Sequence, residues 1–342
     1  MKLKIVFEFK DGPWGGGNQF LKALKSECEK KGIYTEDDEE ADAFLINSIN
    51  AFADYDNIFF LRKKYPEKVF IHRVDGPVFL IRGKDKNIDK GIFAINDLLA
   101  DATIYQTQWS KEKCVQLGMK DNKPSVIICN GCNSDIFYPI MKEKNEKRKI
   151  KIIATSWSNN WKKGFQYYKY LDEHLNMNKY EFLFVGNSPI NFRNSILHEP
   201  VKSEELGDLL RCADVYITAS QNDPCSNSLI EALGCGLPAV VLNDGGHPYI
   251  VSSGGETFST PEEMLEKIEK VSNNLDYYKD RVPNRDIKNV AQEYIDFISY
   301  MVDEKKRGEI KKEKYGLLKY LCIMRHSPRK GFIRILKIMR RK

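Results

Sequence analysis

The chain has 342 residues, 42% of them hydrophobic and 30% charged, which is typical of a globular protein with room for two domains of ordinary size. No apolar run approaches the roughly 18–20 residues that span a bilayer, and the short apolar start of the chain does not fit a signal peptide, so we expect a cytoplasmic protein. Residues 301–342 hold fifteen Lys/Arg against four Asp/Glu. Because the rest of the chain is net acidic, this asymmetry predicts that the tail alone meets an acidic surface.

Strand-like and helix-like segments alternate through the first 141 residues. Apolar, β-favouring runs predict strands at 3–9, 43–47, 69–73, 103–106 and 126–129. Apolar residues at helical spacing predict helices at 18–31, 92–99 and 110–117. Short buried strands separated by helices indicate a parallel sheet covered on both faces, and so a first α/β domain over residues 1–141.

A charged stretch at 142–149 predicts a linker, after which the alternation begins again. Strands are predicted at 151–154, 182–185, 215–218 and 239–242, and helices at 165–175, 203–212, 226–235 and 261–271. These elements predict a second domain of the same class over 150–300. Its final helix, at 286–300, is expected to pack back on the first domain, and residues 301–342 form a basic tail.

A glycine-rich loop joins the first predicted strand to the first helix. It runs from Asp11 to Gln19 and contains Gly15-Gly16-Gly17. In doubly wound sheets ligands bind at the carboxyl ends of strands, where glycines let backbone amides approach a phosphate and a helix start adds partial positive charge. The loop therefore predicts ligand contact, with a flexible turn as the alternative. It is neither a GxGxxG motif nor a P-loop.

A second loop of this kind lies at 222–238. The helix that begins there can hold an anion at its start. Its predicted cap and first-turn residues are Ser226, Asn227 and Ser228. Glu231 lies one turn further on, and its carboxylate can accept hydrogen bonds from both hydroxyls of a ribose. Asp223 lies eight residues before Glu231.

The spacing of these acids, followed by Ala-Leu-Gly-Cys-Gly-Leu-Pro and by Gly-Gly-His-Pro at 245–248, resembles the retaining GT-B glycosyltransferases of family four, the glycosyl transferases group 1. The segment Ser-Trp-Ser-Asn-Asn-Trp-Lys-Lys-Gly at 156–164 is similar to the family's basic loop, and the glycines of the first loop match its amino-terminal glycine pair. The resemblance covers about residues 1–300. It implies the GT-B fold, in which two Rossmann-like domains face each other across a cleft.

The resemblance also implies a reaction. A sugar moves from a nucleotide-diphosphate sugar to an acceptor hydroxyl with retention of anomeric configuration, in the synthesis of a cell-envelope or surface polysaccharide or glycolipid. No metal and no other cofactor is implied, because a lysine and helix-end amides stabilise the leaving group. The implied roles are catalysis by Lys163 and Asp223, diphosphate contact by Lys163, Lys162, Gly16 and Gly17, anion contact by Ser226, Asn227 and Ser228, and ribose binding by Glu231.

His72 is a further catalytic candidate. It lies in His72-Arg73-Val74-Asp75-Gly76-Pro77, at the end of a predicted strand. A lone histidine is more often structural, but two charged neighbours and a position near the carboxyl edge of a sheet favour a functional role. Both interpretations stay open at this point.

Three positions depart from the family pattern. Asp223 stands where the family has Glu, Trp157 stands where an Arg is common, and Tyr249 stands where a Glu often follows Gly-Gly-x-Pro. These departures leave a second hypothesis, a catalytically inactive glycosyltransferase-like subunit that binds a partner. The retained Lys163 and Glu231 argue against it.

Two short motifs could suggest a metal. Asp54-Tyr55-Asp56 matches the metal-binding DxD of another glycosyltransferase fold, but its polar flanks favour a solvated helix start. Cys129 and Cys132 form a CxxC without a second such pair, so reduced thiols are expected rather than a zinc site. We therefore predict no metal site.

The tail carries its own signal. Apolar residues recur at helical spacing among lysines and arginines, namely Phe332, Ile335, Leu336 and Met339. Such a helix can lie in an anionic membrane interface, with a solvated helix or docking on the protein's own body as alternatives. Without an aromatic platform, nucleic acid binding is not expected. The expected partners are the donor, a glycan or lipid-linked glycan acceptor and the inner face of the membrane.

Overall fold

The computed structural model describes residues 1–10, 16–141, 148–310 and 315–326. Contacts within the chain divide it into two compact units, each discontinuous in sequence. The first unit comprises Met1–Glu8, Lys25–Ile128 and Ala291–Lys342, and the second comprises Phe9–Leu24 and Cys129–Val290. Most of the predicted linker, residues 142–147, and the last sixteen residues of the tail lie outside the described part of the chain.

The first unit contains a five-stranded parallel sheet. Its strands are β1 (Leu3–Val6), β2 (Ala43–Asn47), β3 (Val69–Val74), β4 (Ala102–Tyr105) and β5 (Ser125–Ile127), in that spatial order. On the outer side of β1, Tyr34 forms a single parallel bridge with Leu3. The chain therefore reverses its direction of travel across the sheet at β1. In doubly wound sheets, ligands bind beyond the carboxyl end of the strands at such a switch point.

Eight helices lie along the described parts of the first unit, counting two that cross from the second. They are α1 (Gly16–Lys30), α2 (Ser48–Ala53), α3 (Tyr55–Lys64), α4 (Val78–Arg82), α5 (Lys86–Leu99), α6 (Gln108–Gln116), α13 (Ile287–Lys306) and α14 (Leu317–Met324). Helices α1 and α13 both begin in the second unit.

 Helices α13 and α14 are held to the rest of this unit by buried polar contacts. Lys305 Nζ lies 2.8 Å from Asp101 Oδ2, and the Tyr315 hydroxyl accepts a hydrogen bond of 2.8 Å from Arg62 Nε.

The second unit contains a six-stranded parallel sheet. Its strands are β6 (Ile150–Ser156), β7 (Tyr180–Gly186), β8 (Ile196–His198), β9 (Val215–Thr218), β10 (Ala239–Leu242) and β11 (Gly255–Phe258). Their spatial order is β11-β10-β9-β6-β7-β8, which is the strand order of the Rossmann fold. The chain changes direction between β6 and β9, so the loops that leave these two strands flank the expected ligand crevice.

Helices cover both faces of this second sheet. They are α7 (Phe165–His174), α8 (Ser203–Cys212), α9 (Asn227–Gly234), α10 (His247–Val251), α11 (Pro261–Asn273) and α12 (Leu275–Lys279). Two buried apolar clusters result. One contains Leu229 of α9 with Ile153 of β6, and the other contains Phe165 of α7 with Phe184 of β7.

The predicted α/β class is confirmed in both units, and three predicted strands, 43–47, 215–218 and 239–242, coincide with β2, β9 and β10. The final helix extends further than predicted, to Lys306. The eight cysteines form no disulfide. Among the residues that the structure describes, no helix is long and apolar enough to cross a membrane.

Candidate active site

A lysine-bearing turn follows β6 at the switch point of the second unit. It is a single 3₁₀ turn, Trp161–Lys163, and the Asn160 side chain accepts a hydrogen bond of 3.0 Å from the Lys162 amide at its start. Gly164 ends the turn with φ +93°, and a Cβ there would lie 2.4 Å from the Ala219 carbonyl oxygen. Only glycine fits this left-handed position, so the turn is fixed against the end of β9.

Lys163 and Asp223 form an ion pair across this switch point. The Lys163 Nζ lies 3.1 Å from Asp223 Oδ2, with 34% and 14% of the two side chains exposed. Burial alone would raise the pKa of Asp223, but the charges of Lys163 and then His247, together with hydrogen bonds, hold it below its usual value. The sequence-predicted catalytic pair is therefore adjacent, ionised and partly open to solvent.

The glycine pair after β10 supports Asp223. A Cβ on Gly245, whose φ is +65°, would lie 2.2 Å from the Asp223 carbonyl oxygen. The Gly246 amide donates a hydrogen bond of 2.8 Å to that same oxygen. Close backbone approach is the reason that this position needs glycine.

His247 is a member of this cluster to which the sequence analysis gave no role. It is fully buried, and its Nδ1 lies 3.3 Å from the Leu242 carbonyl oxygen. Its Nε2 has no hydrogen-bond partner among the described residues. Burial lowers the pKa of His247, against the raising effect of Asp223. Its position within Gly-Gly-His-Pro was the available signal.

The start of α9 lies beside this pair. Ser226 occupies the predicted cap position, but its hydroxyl caps no backbone amide and instead lies 3.2 Å from the Ser228 hydroxyl. Asn227 accepts a hydrogen bond of 2.8 Å from Asn130 Nδ2. The first backbone amides of any helix lack partners within it, so this start retains the capacity to bind an anion.

Glu231 lies one turn into α9 and is half-buried. Its carboxylate has no hydrogen bond or ion pair among the residues that the structure describes, and burial raises its pKa to about 8. A carboxyl group left without a protein partner in a partly desolvated position is suited to a ligand that brings its own donors.

The glycine loop meets α9 at its start. A Cβ on Gly16 would lie 2.1 Å from Asn227 Nδ2, so Gly16 and α9 are in close contact. A Cβ on Gly17 would meet no atom within 4 Å. Asn18 exchanges two hydrogen bonds with Lys10, of 3.0 and 3.1 Å, and so closes the base of the loop. Residues 11–15 themselves lie outside the described part.

The structure buries His72 completely within β3 of the first unit. Its Nδ1 lies 3.3 Å from Asn96 Nδ2, and burial lowers its pKa to about 3. The imidazole is therefore neutral at physiological pH. Nothing in these contacts brings His72 to solvent, so its catalytic role stays a prediction that the local geometry does not support.

A polar edge lies nearby, beyond the carboxyl ends of β2, β3 and β4. The half-exposed Asp75 carboxylate contacts the fully buried Arg73 guanidinium and the Gln106 amide. Asn47 donates a further hydrogen bond of 3.3 Å to Asp75 Oδ2, and the Asp75 amide donates one of 2.8 Å to Ser48 Oγ. A fixed carboxylate at this edge of a parallel sheet is placed to contact a ligand.

The positions that depart from the family pattern are exposed aromatics. Trp157 and Tyr249 show 50% and 52% of their surface to solvent. Trp157 does not supply the positive charge of the arginine that is common at its position, and Tyr249 does not supply the negative charge of a glutamate. Lys163 and Lys162 therefore supply the positive side chains of the turn after β6. Lys162 is half-buried, and its carbonyl accepts a hydrogen bond of 2.8 Å from the Gln221 amide.

The predicted DxD-like motif lies in the first unit. Asp54 is the residue before α3, and Asp56 accepts a hydrogen bond of 2.8 Å from the Tyr320 hydroxyl of α14. Among the described residues, no group of three His, Cys, Asp or Glu side chains could hold a metal ion. The buried Sγ atoms of Cys129 and Cys225 lie 3.5 Å apart.

Part of the second unit matches a known protein family. Residues 191–286 match the family model described as glycosyl transferases group 1. A curated relative from Campylobacter jejuni, N,N'-diacetylbacillosaminyl-diphospho-undecaprenol alpha-1,3-N-acetylgalactosaminyltransferase, is 26% identical over 192 residues. That match covers 49% of this chain and 50% of the relative, so the chain matches about half the length of the curated relative.

Solved structures share the fold over most of the chain. The Anabaena protein HepE, in complex with UDP-glucose, is similar with a TM-score of 0.66 and 12% identity, over 87% of this chain and 99% of that one. A glycosyltransferase from Rickettsia africae is similar with a TM-score of 0.57 and 15% identity, over 86% and 84% of the two chains. The chain therefore shares the GT-B fold with these structures, and residues 191–286 of its second unit are similar to the glycosyl transferases group 1.

Proposed function

We propose that the chain transfers a sugar from a nucleotide-diphosphate sugar to an acceptor hydroxyl, with retention of anomeric configuration. The observation that carries the proposal is the Lys163–Asp223 pair at the switch point of a Rossmann-ordered sheet. Next to it lie a helix start suited to an anion and a carboxyl group, Glu231, without a described partner. Together these groups fit a diphosphate and a ribose.

In the proposed reaction the bond between the anomeric carbon and the leaving phosphate oxygen breaks. Lys163 has three N–H donors, so it can keep Asp223 and also donate to the diphosphate as negative charge gathers there. The acceptor oxygen bonds to the same face of the anomeric carbon, and its proton passes to the leaving phosphate. Asp223 contacts the transferred sugar, and no metal takes part.

The acceptor is proposed to bind the first unit, at the polar edge around Asp75. Its carboxylate is held by Arg73 and Gln106 while staying half-exposed, so it can accept a hydrogen bond from a sugar hydroxyl without reorganising. The Campylobacter relative is named for a diphospho-undecaprenol-linked acceptor. By analogy we propose a glycan or lipid-linked glycan acceptor, with cytoplasmic action at the inner face of the membrane.

A thermal-shift screen of nucleotide sugars, followed by NMR of the product formed with the best donor, tests this function. A donor that raises the midpoint of unfolding, and a product with the donor's anomeric configuration, are expected. A product of inverted configuration would refute retention. If donors bind but no nucleoside diphosphate is released with any acceptor, the inactive-subunit hypothesis replaces the proposal.

A further inference from the structure

Helix α14 presents apolar side chains on two faces. Towards the first unit, Tyr320, Ile323 and Met324 are buried in the core. Beside this buried face, Leu317 and Leu318 are 70% and 80% exposed. Apolar side chains on α14 therefore extend beyond the face that packs on the first unit.

Phe60 of α3 extends this exposed face. It is 46% exposed, and its ring centroid lies 6.2 Å from that of Tyr320. Leu321, which follows Tyr320, is 41% exposed. We call Phe60, Leu317, Leu318 and Leu321 the leucine patch. Exposed large apolar side chains on two helices that pack together through Tyr320 are of the kind that marks an interaction site.

Hydrogen bonds hold α14, which carries most of the leucine patch, against the first unit. The Tyr320 hydroxyl donates to Asp56 on α3, and Tyr315, just before α14, is held by Arg62. Because these contacts fix the helix from below, the exposed leucines are presented on a preformed surface. Ordering them on a partner therefore costs little conformational entropy.

The charges around the leucine patch identify its partner. Among the described residues 315–326, Lys319 and Arg325 are basic and none is acidic. On α3, Lys63 and Lys64 are exposed one turn after Phe60, and Arg325, the residue that follows α14, is exposed one turn after Leu321. Lys64 lies 3.5 Å from Glu39, but both side chains are mostly exposed. An apolar surface with basic residues around it fits a membrane interface that carries anionic headgroups.

We propose that the leucine patch inserts into the interface of an anionic lipid bilayer and seats the first unit on the membrane. This deepens the proposed function because it rests on that function for the lipid-linked acceptor, although the contact itself needs no catalysis. A second copy of the chain is disfavoured as the occupant by the repulsion between two such basic surfaces.

The test is co-sedimentation of the full chain with vesicles of phosphatidylcholine and phosphatidylglycerol. Leu318→Glu is expected to lower vesicle affinity at least about tenfold, the effect of losing one buried leucine or more. Leu197→Glu is the matched control, because Leu197 is 43% exposed on β8 of the second unit, and it should bind like the wild type. Vesicles of phosphatidylcholine alone should bind the wild type weakly.

Several results would overturn the proposal. One is a vesicle affinity of Leu318→Glu that equals or exceeds that of the wild type. Another is an equal loss of vesicle affinity in Leu318→Glu and Leu197→Glu. A third is equal binding of the wild type to vesicles with and without phosphatidylglycerol. A wild-type dimer in light scattering that Leu318→Glu dissociates would assign the surface to a second copy instead. Nucleotide-sugar hydrolysis in solution, measured in parallel, separates failure of the membrane contact from failure of the proposed function.

Discussion

Replacing Lys163 with alanine tests the central ion pair. The change removes the positive charge 3.1 Å from Asp223 Oδ2, so the opposing effect of burial should raise the pKa of Asp223. Because the Lys163 side chain is one-third exposed, the loss of stability should be only about 1–2 kcal/mol. Loss of a donor to the leaving group should cost about 2–4 kcal/mol in the transition state, or roughly 30- to 1000-fold in turnover.

The assay is release of nucleoside diphosphate, with unfolding followed on the same samples. Lys169→Ala is the matched control, because this lysine of α7 is 60% exposed and its ion pair with Glu173 is long, at 3.9 Å. The double variant Lys163→Ala/Asp223→Asn should recover stability, since no unpaired carboxylate remains, but it should not recover turnover. Turnover of Lys163→Ala within about a factor of three of wild type would refute the assigned role.

Further predictions concern the donor site and the acceptor edge. Gly17→Ala should keep or slightly raise the stability of the chain, since the added methyl meets no atom within 4 Å and alanine favours helix. Calorimetric titration should nevertheless show weaker binding of the nucleoside diphosphate, and unchanged affinity would remove Gly17 from the site. Glu231→Gln should weaken the same binding. Burial raises the pKa of Glu231 to about 8 in the folded chain, so between about pH 4.5 and 8 the folded carboxyl keeps a proton that the unfolded one has lost, and wild-type stability falls as pH rises. Glu231→Gln lacks this group, so its stability relative to the wild type should increase over that range. A stability difference that is independent of pH would contradict this. Asp75→Asn should raise the KM for the acceptor and leave donor hydrolysis unaltered, whereas a defect in donor hydrolysis would show that the carboxylate serves another step. Excess EDTA should leave turnover intact, and loss of activity that Mg²⁺ or Mn²⁺ restores would refute the metal-independent mechanism.

The sequence pointed to the two loops of the second unit that the structure brings together, because these loops are marked by local chain features. Lys163 and Asp223 lie in loops that follow a strand, and Glu231 lies one turn into the helix that begins after Asp223. Once the two parallel strands β6 and β9 are neighbours, their loops must meet at one edge. The ion pair itself follows from this arrangement.

Other features depend on packing that the sequence pattern does not display. His72 ends in the interior because β3 lies between β2 and β4. The sequence analysis places α14 within the basic tail of residues 301–342, but Tyr320 and Ile323 belong to the core. A truncation after Tyr315 would therefore remove core side chains along with the tail, so point substitutions in the leucine patch are the sounder test.

Release of nucleoside diphosphate from the donor found in the screen, by the purified full chain in EDTA, tests the account most directly. We expect turnover by the wild type, loss of roughly 30- to 1000-fold in Lys163→Ala and near wild-type turnover in Lys169→Ala. No release by the wild type, with or without acceptor, or equal release by all three proteins would contradict the assignment of the Lys163–Asp223 site as the place of glycosyl transfer.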